Sequence, residues 1–247
     1  MTPPPLRRVA ANAGSWALFL DFDGTLVDLA ATPEAIVVPP RLPSLLQALS
    51  AYFTGALAVL TGRSLANLDR HLGCRLPAAG QHGAQLRLTP TQTPDEPSTT
   101  ALDGARQQVR DLVAAWPGLI VEDKGLTLAV HYRAVPEAGE QVNSVLRAVA
   151  QASSNALEVV SGKCVYELRP VGVNKGAALE AFLQAPPFAG RRPLMVGDDV
   201  TDEAGFDAAL RAHGAALKGG KGESRAPWRL PSPAVVRAWL AAVLETD

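Results

Sequence analysis

Leu18-Phe19-Leu20-Asp21-Phe22-Asp23-Gly24-Thr25-Leu26 opens on three apolar side chains and closes on two carboxylates, a glycine and a threonine. The apolar run that ends here is far shorter than the ~20 residues a membrane helix needs. A continuous apolar segment stopped by Asp-Gly instead fits a central parallel strand, buried on both faces. Open α/β sheets bind their ligands beyond the carboxyl ends of such strands. Asp21 and Asp23, two residues apart, start on one side of the strand, where bare carboxylates repel. A hard divalent cation relieves that repulsion, and Mg²⁺ suits a pair of oxygen ligands that leaves other positions to water and phosphate. Asp21 can then be both ligand and nucleophile, with Asp23 left for proton transfer. A solvated Asp-Gly turn fits the same residues equally well.

The chain has 247 residues, 47% of them hydrophobic, which is enough to bury a large core in one domain or two. Its net charge is −1, its 23 Lys and Arg are scattered and only 5% of its residues are aromatic, so the basic, aromatic-interleaved stripe of a nucleic-acid binder is missing. Cys74 and Cys164 form no CxxC and no His-spaced pair, and read as reduced thiols. Arg7-Arg8 precede an apolar stretch, but Asn12 breaks it and it runs directly into Asp21, unlike an export signal. The expectation is a cytoplasmic protein with neither nucleic acid nor membrane as partner. The sequence leaves the oligomeric state open, with a monomer plausible.

Three later stretches place polar groups at a strand end or a helix start. Residues 55–60 read as a strand ending in Thr61-Gly62-Arg63-Ser64, and Leu65, Leu68 and Leu72 place a helix directly behind it. A hydroxyl, a glycine amide and a helix N-terminus make an anion pocket, although a plain turn with Ser64 as N-cap explains the same residues and alone is favoured. Asn174-Lys175-Gly176 opens a helix, and a cation there is opposed by the helix dipole unless an anion offsets it. An exposed loop lysine is the competing account. Residues 193–196 form a further strand ending in Gly197-Asp198-Asp199-Val200-Thr201-Asp202-Glu203, the densest run of acids in the chain and one that calls for a cation. Residues 218–222 read as a glycine-lysine loop without Walker spacing.

Between these stretches, residues 89–100 have a linker's composition, with three prolines and five threonines. Helical patterns over 103–116 and 136–153 then alternate with strand pairs at 119–123 and 126–131, and at 157–160 and 164–168. The order αββαββ inside an alternating α/β chain predicts an inserted α+β domain at 101–171, with 1–100 and 172–247 forming a doubly wound, mainly parallel core. A carboxylate nucleophile, a second acid, a hydroxyl, a lysine and further carboxylates at strand ends are the inventory for phosphoryl transfer.

Asp21-Phe22-Asp23-Gly24-Thr25, Thr61-Gly62-Arg63, Lys175 and Gly197-Asp198-Asp199 resemble, in order, the four motifs of the haloacid dehalogenase-like phosphatases. Within that superfamily, Gly197 to Glu203 resembles the signature of the trehalose-6-phosphate phosphatases. Glu122-Asp123-Lys124-Gly125, Val130-His131-Tyr132-Arg133, Gly162-Lys163 and Glu167-Leu168-Arg169-Pro170 are similar to that family's cap. The resemblance implies a Mg²⁺-dependent hydrolysis of trehalose 6-phosphate to trehalose and phosphate through an aspartyl-phosphate. In that scheme Asp21 is nucleophile and metal ligand, and Asp23 is general acid, then base, and a ligand through its carbonyl. Thr61, Gly62 and Lys175 hold the phosphoryl group, and Asp198 completes the metal ligands. Asp199 supports from beside and Asp202 steadies Lys175. Glu122, Lys124, Arg133, Lys163 and Glu167 contact the sugar, with cross-strand ion pairs on a solvated sheet as the rival reading. The alternatives are a phosphatase of another sugar phosphate (sucrose phosphate or a glycosyl-phosphoglycerate), a phosphohexomutase-like transferase, and a non-catalytic sugar-phosphate-binding regulator.

Overall fold

All five residues of β1 (Trp16–Leu20) are buried, and they divide between two cores. Trp16, Leu18 and Leu20 point into one cluster, Ala17 and Phe19 into the other, as strand alternation requires of a central strand covered on both faces. The computed structural model describes residues 9, 12–30, 32–96, 100–154, 156–162 and 164–245. Two compact units arise, one from residues 1–95 with 174–247 and one from 96–173.

The first unit is built on a seven-stranded sheet. After β1 come β2 (Leu57–Leu60), β3 (Ala78–Gly80) and β4 (Gln85–Arg87) on one side, and β9 (Arg192–Gly197), β10 (Ala215–Gly219) and β11 (Trp228–Leu230) on the other. The order is β11-β10-β9-β1-β2-β3-β4, parallel except for β4, which pairs antiparallel with β3. Helices α1 (Leu42–Tyr52), α2 (Leu65–Leu72) and α7 (Pro233–Leu244) bury Leu46, Leu68 and Leu240 in the first cluster. Helices α5 (Lys175–Leu183) and α6 (Glu203–Arg211) bury Phe182 and Phe206 in the second, where Phe19 packs against Phe182 and Phe188. This is the doubly wound, mainly parallel architecture expected from the sequence.

The chain leaves β1 toward β2 and β3, and later returns to β1's other edge with β9 and β10. The carboxyl end of β1 is therefore the switch point at which such sheets bind ligands.

The second unit is a four-stranded antiparallel sheet, β5 (Ile120–Asp123), β6 (Leu128–His131), β7 (Leu157–Gly162) and β8 (Val165–Pro170), in the order β5-β6-β8-β7. Helices α3 (Thr100–Ala115) and α4 (Gly139–Ala152) cover the face that carries Leu128, Val130, Leu157 and Leu168. The opposite face carries Glu122, Ala129, Glu167 and Val160 in one cross-strand row.

Some sequence expectations are corrected. The strand expected over 55–60 begins at Leu57, because Gly55 turns the chain at φ +85°. Lys218 and Gly219 belong to β10 instead of opening a loop, since Ala215, Ala216 and Leu217 carry the strand between β9 and β11. Strands β3, β4 and β11 were not anticipated: at three residues each they are too short to show a period. Helix α6 follows the acidic run directly, an element for which the sequence reading made no prediction. Lys163 and residues 97–99 of the expected linker lie outside the described residues.

Candidate active site

Four strand ends of the first unit supply the site. Beyond β1 the chain turns at once: Phe22 O accepts from the N–H groups of Leu26 and Val27, and Gly24 N–H donates to Val27 O. Gly24 takes φ +79°, and a Cβ there would lie 2.3 Å from Asp198 Oδ2, so conformation and space both require glycine. The turn aims Thr25 Oγ1 at Asp198 Oδ1, 3.2 Å away.

Asp21, 4% exposed, faces the interior, and Lys175 Nζ donates to its Oδ1 at 2.6 Å. The same ammonium donates to Asp202 Oδ1 at 2.7 Å. Lys175 is the first residue of α5, which Asn174 caps by accepting from Ala177 N–H. It is buried, so the exposed-loop account fails, and two carboxylates supply the anions its position called for. Burial opposes the charge on this ammonium and lowers its pKa. The Asp202 and Asp21 charges outweigh that effect and push its pKa above the ordinary lysine value.

Asp202 uses both oxygens. While Oδ1 accepts from Lys175, Oδ2 accepts from the backbone N–H groups of Asp198 at 2.9 Å and Asp199 at 3.1 Å. It thus fixes the turn after β9 and leaves Asp198 and Asp21 as the carboxylates with capacity to spare. Asp21, Asp198 and Asp202 bring one oxygen each within 4.8 Å of one another. Asp21 Oδ2 is buried and has no hydrogen-bond partner. Burial raises the Asp21 pKa well above the carboxylate range, with the Asp202 charge adding to it. Burial likewise pushes Asp198 up, helped by Asp202 and Asp199. Three clustered carboxylates, two of them paired to Lys175, with a buried oxygen unpartnered and only hard oxygen donors, fit a divalent cation.

Asp23 departs from the pairing expected in the sequence. The strand stops at Leu20 and the turn carries Asp23 to a different cation, so the two acids do not share one charge problem. Arg63 Nε donates to Asp23 Oδ2 at 2.7 Å and its Nη2 to Oδ1 at 2.6 Å, while Nη1 reaches Asn67 Oδ1 at 2.8 Å. Asp199 lies next to Asp198, but its carboxylate caps Thr201 N–H and stays outside the buried triad.

At the end of β2, Thr61 is fully buried and its Oγ1 accepts from Arg63 N–H at 3.1 Å. Ser64 caps α2 by accepting from Asn67 N–H, so the turn that competed with the anion pocket is also present. A Cβ at Gly62 would lie 2.6 Å from His82 Cε1. Gln81 and His82, at φ +47° and +57°, are two consecutive non-glycine residues in the left-handed region, a strained backbone just past β3.

The sequence reading assigned no role to Lys218. Its Nζ, buried at the end of β10, donates to Asp198 O at 2.5 Å and so places a second ammonium behind the triad. The signal was an apolar run ending in a polar group, the same pattern that marked the other strand ends.

In the second unit, Glu122, Lys124 and Glu167 come together on the face away from the helices. Lys124 Nζ lies 3.5 Å from Glu167 Oε1 and 3.9 Å from Glu122 Oε2. Thr127 Oγ1 donates to Glu167 Oε1 at 2.8 Å, and His131 Nε2 lies 3.2 Å from Glu122 Oε2. Arg133, exposed and past the end of β6, is not among these contacts.

Comparison with known proteins agrees with this geometry. A family model for trehalose-phosphatase matches residues 19–232. The chain is 39% identical over 241 residues to a probable trehalose-phosphate phosphatase of Sinorhizobium fredii, covering 96% of this chain and 91% of that protein. It is 36% identical over 242 residues to the trehalose-6-phosphate phosphatase of Escherichia coli, covering 97% and 90%. The solved Aspergillus fumigatus trehalose-6-phosphate phosphatase superposes over 100% of both chains with a TM-score of 0.77 at 25% identity. With the switch-point carboxylates in place and the match running through nearly the whole length, the chain belongs to the trehalose-phosphatase family of phosphoric monoester hydrolases.

Proposed function

We propose that this protein hydrolyses trehalose 6-phosphate to trehalose and phosphate, with Asp21 as nucleophile, Mg²⁺ as cofactor and residues 96–173 as a cap that selects the sugar. The observation that carries this reading is the buried Asp21 carboxylate, one oxygen held by Lys175 at 2.6 Å and the other unpartnered.

The Asp21 oxygen attacks phosphorus and the bond from phosphorus to the sugar oxygen breaks, as Asp23 gives that oxygen its proton. Water then attacks the aspartyl-phosphate, Asp23 takes the water's proton, and phosphate leaves with Asp21 restored. Lys175, the Thr61 hydroxyl and the Gly62 amide hold the phosphoryl oxygens, and this positioning does most of the work in phosphoryl transfer. The cation would be held by the Asp21 and Asp198 carboxylates and the Asp23 carbonyl, with Asp199 beside them and Asp202 bracing Lys175. When bound, it neutralises the charge that otherwise crowds these acids against a phosphate dianion.

For the sugar, the support is the half-buried group of Glu122, Lys124 and Glu167, whose carboxylates and amine can each hydrogen-bond several hydroxyls. Arg133 and Lys163 complete the proposed set. A cytoplasmic location fits the two free cysteines. Among the described residues no helix is long and apolar enough to cross a membrane.

Phosphate release should be assayed over trehalose 6-phosphate, sucrose 6-phosphate, glucosyl-phosphoglycerate and glucose 6-phosphate, with Mg²⁺ and with excess EDTA. The reading expects trehalose 6-phosphate to be preferred, with EDTA abolishing turnover. Hydroxylamine trapping should label Asp21. Preference for another sugar, or full activity without metal, rejects it.

A further inference from the structure

Arg63 makes a bidentate contact with a carboxylate that the proposed reaction needs mobile in its proton but fixed in its place. Its Nε and Nη2 meet Asp23 Oδ2 and Oδ1 at 2.7 and 2.6 Å, the parallel fork that fixes direction as well as distance. The Arg63 side chain is only 8% exposed, against 29% for Asp23, so the guanidinium is the anchored partner and the carboxylate the reachable one. Two further contacts hold the guanidinium, Nη1 on Asn67 Oδ1 and the carbon Cζ 5.8 Å from the Phe22 ring centroid, while the Arg63 backbone N–H donates to Thr61 Oγ1 and fixes the start of the side chain. Asn67 lies on α2 and Phe22 lies between the two acids, so Arg63 ties the turn after β1 to the helix behind β2.

We propose that Arg63 is the positioning residue for Asp23, orienting its carboxylate for proton transfer to the leaving group and from water. This rests on the reading of Asp23 as the acid and base. Each carboxylate oxygen has a second lone pair, so Asp23 can carry or accept a proton there while the fork stays in place. Lysine would retain the charge and lose the fork, because an ammonium is a point donor on a flexible stem.

Leaving-group dependence separates this role from a merely structural one. A sugar alkoxide departs poorly without a proton, whereas p-nitrophenolate departs readily, and kcat/KM reports the step in which either leaves. Arg63→Ala and Arg63→Lys should be compared with Asp23→Asn and with Asp23→Asn/Arg63→Ala on trehalose 6-phosphate and p-nitrophenyl phosphate, after circular dichroism confirms folding. Arg63→Ala is expected to lower kcat/KM on the sugar phosphate by about ten- to hundredfold, within the roughly 10²–10⁴-fold that general acid–base catalysis contributes, and on the aryl phosphate by less than about threefold. Arg63→Lys should fall between Arg63→Ala and the wild type. The double variant should be no worse than Asp23→Asn alone, since a positioning residue has nothing left to position. Parallel losses on both substrates, or additive losses in the double variant, overturn the proposal. If Arg63→Ala does not fold, Arg63→Lys carries the same comparison. Asp23→Asn affecting both substrates equally would remove Asp23 as the acid, and this proposal with it. Another alkyl phosphate would serve equally if trehalose 6-phosphate proved not to be the substrate, so that failure is separately visible.

Discussion

Lys175 and Asp21 stand 154 residues apart in the chain and meet in the interior with Nζ 2.6 Å from Oδ1. The ammonium also holds Asp202, so one cation joins the end of β1 to the turn after β9. Removing one partner of a buried ion pair leaves the other charge uncompensated, typically at about 3–5 kcal/mol. Lys175→Met should lower the unfolding free energy by about that amount and abolish phosphate release, checked by urea titration and by assay. A fully stable variant would mean that the carboxylates are relieved some other way. Because the folded Lys175 pKa is raised, its contribution is present below the ordinary lysine value and is lost only as pH climbs past it. Neutral buffers should therefore show the effect in full.

Asp198 behaves in the opposite sense. Burial, then the Asp202 and Asp199 charges, raise its folded pKa above the ~3.9 of the unfolded chain. The folded state is therefore penalised at neutral pH and relieved as pH falls through the raised value. In EDTA, Asp198→Asn should melt higher than the wild type at pH 8, with the gap narrowing toward pH 4. In Mg²⁺ the order should reverse, because the wild type gains a ligand that the variant has lost. No reversal in calorimetry would argue against Asp198 as a metal ligand.

Gly24 has a backbone at φ +79° and no room for a Cβ beside Asp198. Gly24→Ala should cost about 1–3 kcal/mol in stability and displace the Asp198 carboxylate. Titration with Mg²⁺ followed by calorimetry should show affinity about 10–100-fold weaker, the range typical when support for a metal ligand is lost. Unchanged affinity would show that the turn relaxes without moving Asp198.

Glu167 accepts hydrogen bonds from Thr127 at 2.8 Å and Lys124 at 3.5 Å. If it holds sugar hydroxyls, Glu167→Ala should lower kcat/KM for trehalose 6-phosphate by about ten- to hundredfold, since a charged hydrogen bond is worth roughly 1.5–3 kcal/mol. Hydrolysis of p-nitrophenyl phosphate should change little. A parallel loss on both substrates would make Glu167 structural, and no loss on either would place the sugar elsewhere.

The sequence by itself determined the ladder of apolar runs and the polar residues that end them, because burial on both faces of a parallel sheet demands continuous apolar strands and ligand sites form where they stop. That logic marked Asp21, Thr61 and Asp198 as candidates, the helix dipole marked Lys175, and the order of helices and strands predicted an inserted α+β unit. Which cation meets which acid was decided only by the fold. Asp23 was read beside Asp21, yet the turn beyond Leu20 delivers it to Arg63, 40 residues on. Lys218 looked like part of a loop until β10 was seen to lie between β9 and β11, bringing its Nζ to the Asp198 carbonyl 20 residues away. Periodicity reports which face a residue takes along its own element, whereas ion pairs between elements depend on sheet order and register, which short strands such as β3 and β11 set without leaving a pattern to read.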